Sequence, residues 1–224
     1  MANYVNKDIL CQAYIHIEPT NMTEAALSEF NKTISIFIEQ RGKFFINKDV
    51  DTAVELKDGS LKVYATVLGS IYAVISAYGS FRSGVDYLSS DIKRLSDTVV
   101  SECLFQSKCR HDDVIHLEAR VGVIGQLKNI TDEIKVINTV MQSKPLDQVI
   151  ARLGRLESEI SRMEKNLHAP NDIPYVRQNL LEMIEELIPA IPHKVPKHPF
   201  SSKTREQYLI SRRRLTSRLK SPAV

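Results

Sequence analysis

The chain has 224 residues, of which 43% are hydrophobic and 25% are charged, the proportions of an ordinary globular protein. A mean hydropathy of -0.19 excludes a multi-pass membrane protein, although it permits one span attached to a soluble body. The formal net charge is +3, but it is unevenly distributed, because residues 193–224 carry nine Lys or Arg against one Glu. An acidic body with a basic tail is typical of a protein with an anionic partner.

The amino-terminal sequence lacks the basic stretch and long apolar core of a secretion signal. Three cysteines, Cys11, Cys103 and Cys109, cannot all pair within one chain. We therefore expect reduced thiols in a cytoplasmic setting.

Residues 12–18 alternate between polar and apolar side chains, which predicts a β-strand that ends at Pro19. A helix is expected to follow, with Thr20 or Asn21 as its amino-terminal cap. Gly42 lies where a left-handed residue would end this helix.

Residues 43–47 are expected to form a second strand, and residues 52–67 to form a β-hairpin. The hairpin prediction depends on Asp58 and Gly59, because both residue types tolerate the positive φ of a two-residue turn.

The longest uncharged run covers residues 63–81 and lies between Lys62 and Arg82. A helix of this length spans about 28 Å, close to the roughly 30 Å hydrocarbon core of a bilayer. Small or hydroxylated residues recur along one face of that helix, and such a seam either packs against another helix or lines a pore in an oligomer. The residues of this seam are Thr66, Ser70, Ala73, Ala77 and Ser80.

Two interpretations of this run stay open. The hairpin and the membrane helix both claim residues 61–67, and a helix that starts at residue 68 is short for a membrane span. The alternative to a span is a helix buried in the protein core after the hairpin.

Everything after residue 84 has helical periodicity, including residues 113–141 and a short helix over 174–188. Between them lies an unbroken heptad pattern, which indicates either self-association as a coiled coil or packing within a bundle of the same chain. This oligomerisation seam consists of Leu146, Val149, Leu153, Leu156, Ile160, Met163 and Leu167.

The basic tail follows a proline-rich linker, and a last helix is expected from Ser202 to Lys220. Its cations could bind the phosphates of nucleic acid, an oligonucleotide or acidic lipid headgroups. A solvated, disordered tail is the alternative. The candidate anion-binding residues are Arg205, Arg212, Arg213, Arg214, Arg218 and Lys220.

Catalysis has little support, because the chain has no P-loop, no GxSxG and no HExxH motif. The spacing of Cys103, Cys109, His111 and His116 matches no common zinc pattern. We therefore expect no catalytic residue, no metal site and no cofactor.

These patterns predict an α+β fold in which a small strand–helix–hairpin domain precedes a predominantly helical, oligomer-forming region. The expected parts are residues 1–67 (the α+β domain), 68–104 (an apolar helix and an amphipathic helix), 111–188 (a helical or coiled-coil region) and 189–224 (linker and basic arm).

Two stretches resemble the small membrane effector proteins of bacterial antiphage operons, such as the channel-forming effector of the Hailong defence system. They are GSLKVYATVLGSIYAVISAYGSFRSGVDYL at 59–88 and ARVGVIGQLKNI at 119–130. The resemblance implies an oligomeric membrane channel whose state is set by an oligonucleotide from an operon-encoded nucleotidyltransferase partner. It assigns a role to no individual residue.

We therefore expect a non-enzymatic homo-oligomeric effector at the cytoplasmic membrane, which engages the bilayer through residues 63–81 and binds an anionic ligand through its tail. The alternative is a soluble, cytoplasmic protein that binds nucleic acid or acts as a coiled-coil scaffold, with residues 68–81 in its core. A small hydrolase is a third and more distant alternative.

Overall fold

The computed structural model describes residues 8–18, 22–57, 61–192 and 198–221. The chain forms two compact units, Met1–Gly125 and Gln126–Val224. The first contains a four-stranded antiparallel sheet and the second is helical, so the predicted α+β class is confirmed. The predicted strand end at Pro19 and the Asp58-Gly59 turn lie outside the described residues. The predicted cap at Thr20 or Asn21 is wrong, because the first helix begins at Glu24 and Thr23 Oγ1 accepts from the backbone N–H of Ala26.

The first unit contains four strands, β1 (Ile9–Ile17), β2 (Asp51–Lys57), β3 (Leu61–Leu68) and β4 (Val114–Arg120). Its helices are α1 (Glu24–Phe45), α2 (Ile71–Ile75) and α3 (Phe81–Ser107), with short 3-10 turns at Ser76–Tyr78 and His111–Asp113. The strand order is β2-β3-β1-β4, and every neighbouring pair is antiparallel. This is the split β-α-β connectivity, in which each helical crossover joins two parallel strands separated by a third.

One face of the sheet packs against α1 and α3. In β1, the alternate residues Cys11, Ala13, Ile15 and Ile17 are buried, and α3 contacts this strand. α1 comes close to the sheet at Gly42, where an added Cβ would lie 3.2 Å from Cγ2 of Thr52. The prediction that Gly42 ends the helix is therefore wrong, because this glycine serves a close helix–sheet contact inside α1.

Residues 63–81 do not form one helix, so the predicted membrane-length helix is wrong. β3 extends to Leu68, and α2 is only five residues long. Two of the seam residues are helix caps: Ser70 Oγ accepts from the backbone N–H of Ala73, and Ser80 Oγ accepts from that of Ser83. Such hydroxyl caps satisfy amide groups that the first turn leaves unpaired. Among the described residues, no helix combines the length and apolar character of a membrane span.

Two other secondary-structure predictions are also wrong. Residues 43–47 do not form a strand, because α1 continues to Phe45. Residues 114–120 are not helical but form β4, which pairs with the edge of β1. The predicted helical region 111–188 therefore begins with a strand that belongs to the sheet of the first unit.

The second unit contains the rest of α4 (Gly122–Met141), together with α5 (Leu146–Glu164), α6 (Asp172–Leu187) and α7 (Ser202–Lys220). α7 packs against α5 and α6. The predicted oligomerisation seam is buried within the single chain. This is the arrangement expected if the heptad pattern packs inside a bundle of the same chain. Every seam residue is buried: Leu146, Val149, Leu153, Leu156, Ile160, Met163 and Leu167.

Glu164 joins three helices of the second unit. Its carboxylate accepts from Nε of Arg177 on α6 at 2.7 Å and from Nη2 of Arg218 on α7 at 2.8 Å, while the residue itself is only 8% exposed. Burial acts to raise the pKa of Glu164, but the hydrogen bonds from the two arginines outweigh it and hold the pKa below 4.5. The charged carboxylate therefore stabilises the helical bundle.

We predict that Glu164→Gln lowers the free energy of unfolding at pH 7 by about 1.5–3 kcal/mol, the usual range for a hydrogen bond to a charged group. A lowered folded-state pKa gives stability that is present above pH 4.5 and is lost as the pH falls through the folded value. Urea unfolding followed by circular dichroism should show that the free energies of unfolding of the wild type and Glu164→Gln converge as the pH is lowered.

The matched control is Glu185→Gln, which breaks the exposed Lys220–Glu185 ion pair on the same unit. Its expected cost is below about 1 kcal/mol. Equal losses in the two variants, or a Glu164→Gln loss that does not change with pH, would contradict this role for Glu164.

Candidate functional site on the polar face of the sheet

The sheet face that points away from α1 and α3, called here the polar face, carries three rows of side chains in register across the four strands. These rows follow from the pairing of β1 with β3 and β4, because directly opposed residues of an antiparallel sheet share a face. In strand order β2-β3-β1-β4, the rows are Lys57, Lys62, His16 and His116; Glu55, Tyr64, Tyr14 and Glu118; and Ala53, Thr66, Gln12 and Arg120.

Two tyrosines form the centre of the polar face. Tyr14 and Tyr64 lie opposite each other on the two central strands, with ring centroids 4.7 Å apart and an interplanar angle of 31°. Lys57 Nζ lies 5.0 Å from the centroid of Tyr64. Tyr14 is buried, whereas Tyr64 is partly exposed, so Tyr64 offers the more accessible ring.

Arg120 fixes both rings from the third row. Its guanidinium carbon lies 5.0 Å from the Tyr14 centroid and 5.7 Å from that of Tyr64, within the range of a cation–π contact. Nε donates to Oε2 of Glu118 at 2.9 Å, and Nη1 donates to Oε1 of Gln12 at 2.8 Å. With a side chain only 8% exposed, Arg120 is part of the rigid floor of the site.

The hydrogen-bond chain continues across the sheet, because Nε2 of Gln12 donates to Oγ1 of Thr66 at 2.8 Å. Thr66, predicted to line a helical seam, is therefore a strand residue in this network. Arg120 holds the pKa of the Glu118 carboxyl below its usual value through this hydrogen bond. His116 Nε2 lies 3.8 Å from the same carboxylate.

The first row concentrates basic groups at one end of the polar face, and we call it the basic row. Lys57 and Lys62 are directly opposed, an arrangement that costs stability because like charges repel. Lys57 has a weak ion pair with Glu55 at 3.6 Å, whereas Lys62 has no ion-pair partner among the described residues. His16 and His116 extend the row over β1 and β4. A bound anion would relieve this repulsion.

The basic tail is not a cluster of free cations. Tyr208 anchors α7, since its hydroxyl donates to the carbonyl oxygen of Pro189 at 2.5 Å and burial raises its pKa to about 12. Four of the six predicted anion-binding side chains are held by groups of the same unit. Arg212 donates to the Ile188 carbonyl, Arg214 to Glu157 and Arg218 to Glu164, and Lys220 pairs with Glu185.

Arg205 and Arg213 are the exposed exceptions, without an ion-pair partner in the described part of the chain. The other predicted seam residues do not converge on a site either. Ser70 and Ser80 cap different helices, Ala73 lies in α2, and Ala77 lies in the 3-10 turn that follows it.

The polar face was missed at the sequence level. The available signal was the central tyrosine in QAYIHI and KVYAT, each within alternating residues, and the matching polar positions of IHLEAR.

No known protein-family model, curated protein or solved structure matches this chain. Among the described residues, no three His, Cys, Asp or Glu side chains converge on a metal position.

We predict that Arg120→Gln raises the pKa of Glu118 toward its ordinary value of 4.5, because the strongest stabilising hydrogen bond to the carboxylate is lost. NMR titration of the glutamate carboxyl resonances measures this shift. Lys135→Gln is the matched control, since Lys135 pairs with Asp132 of the second unit. A Glu118 resonance that titrates identically in Arg120→Gln and Lys135→Gln would show that Arg120 does not tune this group.

Proposed function

We propose that this chain is a non-enzymatic protein that binds a single-stranded oligonucleotide on the polar face of its sheet. In this proposal, phosphates bind the basic row, and a base packs against the accessible ring of Tyr64. The observation that carries the proposal is the row of four basic or titratable side chains directly beside the tyrosine pair.

The ligand class follows from the presence of cationic side chains and aromatic rings in neighbouring rows of the same sheet face. Cationic side chains favour any phosphate, but flat rings beside them favour a phosphate that carries a base, since stacking on an aromatic ring contributes about 1–3 kcal/mol per base. RNA-recognition motifs bind single strands through aromatic residues on the central strands of a four-stranded sheet. The parallel is one of chemistry and geometry, not of sequence.

Pre-organisation also supports the proposal. Tyr14, Arg120, Gln12 and Thr66 hold one another in a connected network, which fixes the ring of Tyr64 through the 4.7 Å tyrosine contact. A ring that is already immobile loses little conformational entropy when a ligand binds. Acidic lipid headgroups, the other anions expected from the sequence, would make no use of this rigid aromatic pair.

The proposed ligand is of the class implied by the resemblance to antiphage effectors, which respond to an oligonucleotide made by a partner enzyme. A role as a ligand-controlled effector in bacterial defence therefore belongs to the same proposal. Membrane engagement through residues 63–81, and with it a channel activity, stays a separate prediction. It requires β3 to leave the sheet, because residues 63–68 lie in that strand.

We predict that Tyr64→Leu weakens binding of a fluorescent single-stranded oligonucleotide about tenfold, equivalent to about 1.4 kcal/mol and within the range for one stacked base. Fluorescence polarisation at a fixed, low salt concentration measures the change. Tyr87→Leu is the control, because Tyr87 is 62% exposed on α3, away from the polar face. If the two variants bind equally well, Tyr64 is not a stacking platform; if the wild type binds phosphatidylserine vesicles but no oligonucleotide, the ligand is a lipid.

We predict that Lys57→Gln combined with Lys62→Gln reduces the slope of log affinity against log salt by about 1.4, since each single-strand phosphate contact contributes about 0.7. Lys43→Gln, on α1 and paired with Glu39, should leave the slope unchanged. The same salt dependence is measured for the tail with Arg205→Gln combined with Arg213→Gln, because these are its two exposed arginines without an ion-pair partner among the described residues. A slope that changes only in the tail arm would move the ligand from the sheet to α7.

A further inference from the structure

β4 is an edge strand whose apolar side chains are not covered. The strand order ends at β4, and Ile115 and Leu117 are 56% and 48% exposed. The opposite edge, β2, is different, because its exposed positions include Asp51, Glu55 and Lys57. Charged residues on an edge discourage pairing with another chain, whereas an apolar edge favours it.

The sequence of β4 is complementary to itself in the antiparallel direction. When two copies pair about an axis through Leu117, the two Leu117 side chains lie opposite each other. Ile115 lies at the irregularity where the register of β4 against β1 shifts by one residue. His116 then lies opposite Glu118 of the second copy, and this basic–acidic contact occurs twice because of the symmetry. Apolar and charged positions therefore both find suitable partners in one register.

The neighbouring symmetric registers are worse. A two-fold axis perpendicular to the sheet pairs only residues of the same face, so the alternatives are centred on His116 or Glu118. Centring on Glu118 opposes the two Glu118 carboxylates and places His116 opposite Arg120. Centring on His116 opposes the two His116 rings and leaves Glu118 without a basic residue opposite it. Charge complementarity therefore selects the register centred on Leu117.

We propose that two copies of this chain pair through β4 in this register, forming one continuous eight-stranded sheet. Both polar faces then lie on the same side of the joined sheet. The two Tyr14 residues are separated by three strand spacings across the sheet, or about 14 Å, and by two residues along the strands. The dimer would double the length of the ligand-binding surface, but the pairing does not depend on the proposed oligonucleotide.

Site-directed cross-linking tests the register. Opposed residues of antiparallel strands have Cα atoms about 4.5–5.5 Å apart, which is within the range for a disulfide. Cys109 is the one partly exposed native cysteine, since Cys11 and Cys103 are buried, and it is therefore replaced by Cys109→Ser. In this background Leu117→Cys should give a covalent dimer on mild oxidation. Ile36→Cys in the same Cys109→Ser background is the control, because Ile36 has the same 48% exposure on α1. This variant should give no covalent dimer. Cross-linking of Leu117→Cys that is no faster than that of Ile36→Cys overturns the register.

Sedimentation equilibrium tests the interface without a new thiol. Leu117→Lys opposes two ammonium groups at the axis and should raise the dimer dissociation constant at least tenfold, while Ile36→Lys leaves it unchanged. His116→Glu should weaken the dimer, because it places a negative charge opposite Glu118 of the second copy. His116→Lys should preserve the dimer, because it places a positive charge there. Circular dichroism verifies that each variant is folded. A wild type that stays monomeric at the highest concentration, or a dimer that withstands Leu117→Lys, overturns the proposal.

Discussion

The register of β1 between β3 and β4 is the constraint on which the first unit depends. Tyr14 lies opposite Tyr64 on one side and Glu118 on the other, while the adjacent Ile15 is buried against the helix layer. A slip of one residue would exchange the two faces and place the tyrosine among the core side chains. The hydrophobic core and the candidate site are therefore specified by the same alternation of residues.

The same register imposes a cost at the basic row. Lys57 opposite Lys62 is unfavourable for an isolated sheet, and the apolar positions of β4 leave an edge that is open to pairing. Local violations of folding rules are expected where function requires them, provided that other interactions offset the cost. Here the network of Gln12, Thr66 and Arg120 joins β1, β3 and β4, which are three of the four strands of the site. The repulsion between Lys57 and Lys62 lies two rows away, at the other end of the polar face.

The α+β class and the hairpin over 52–67 could be predicted because alternation and turn chemistry are local properties of the sequence. The interpretation of residues 63–81 failed because a count of uncharged residues does not distinguish one long helix from a buried strand followed by short helices. Ser70 and Ser80 are good helix caps for the reason that made them suitable seam residues: their side chains are small and polar. The polar face depends on pairings such as Gln12 with Arg120, more than 100 residues apart, which local periodicity cannot reveal.

Charge counted along a sequence and charge available to a ligand are different quantities. The tail has the highest density of cations in the chain, yet Arg214, Arg218 and Lys220 pair with carboxylates of the second unit. An anion that binds these side chains must compete with carboxylates that are already in place. One of these carboxylates, that of Glu164, is buried. At the basic row, Lys57 and Lys62 oppose each other, and Lys62 has no ion-pair partner among the described residues. An anion bound there gains attraction and relieves this repulsion. For this reason a short, weakly cationic row on the sheet is a better candidate for anion binding than the arginine-rich helix.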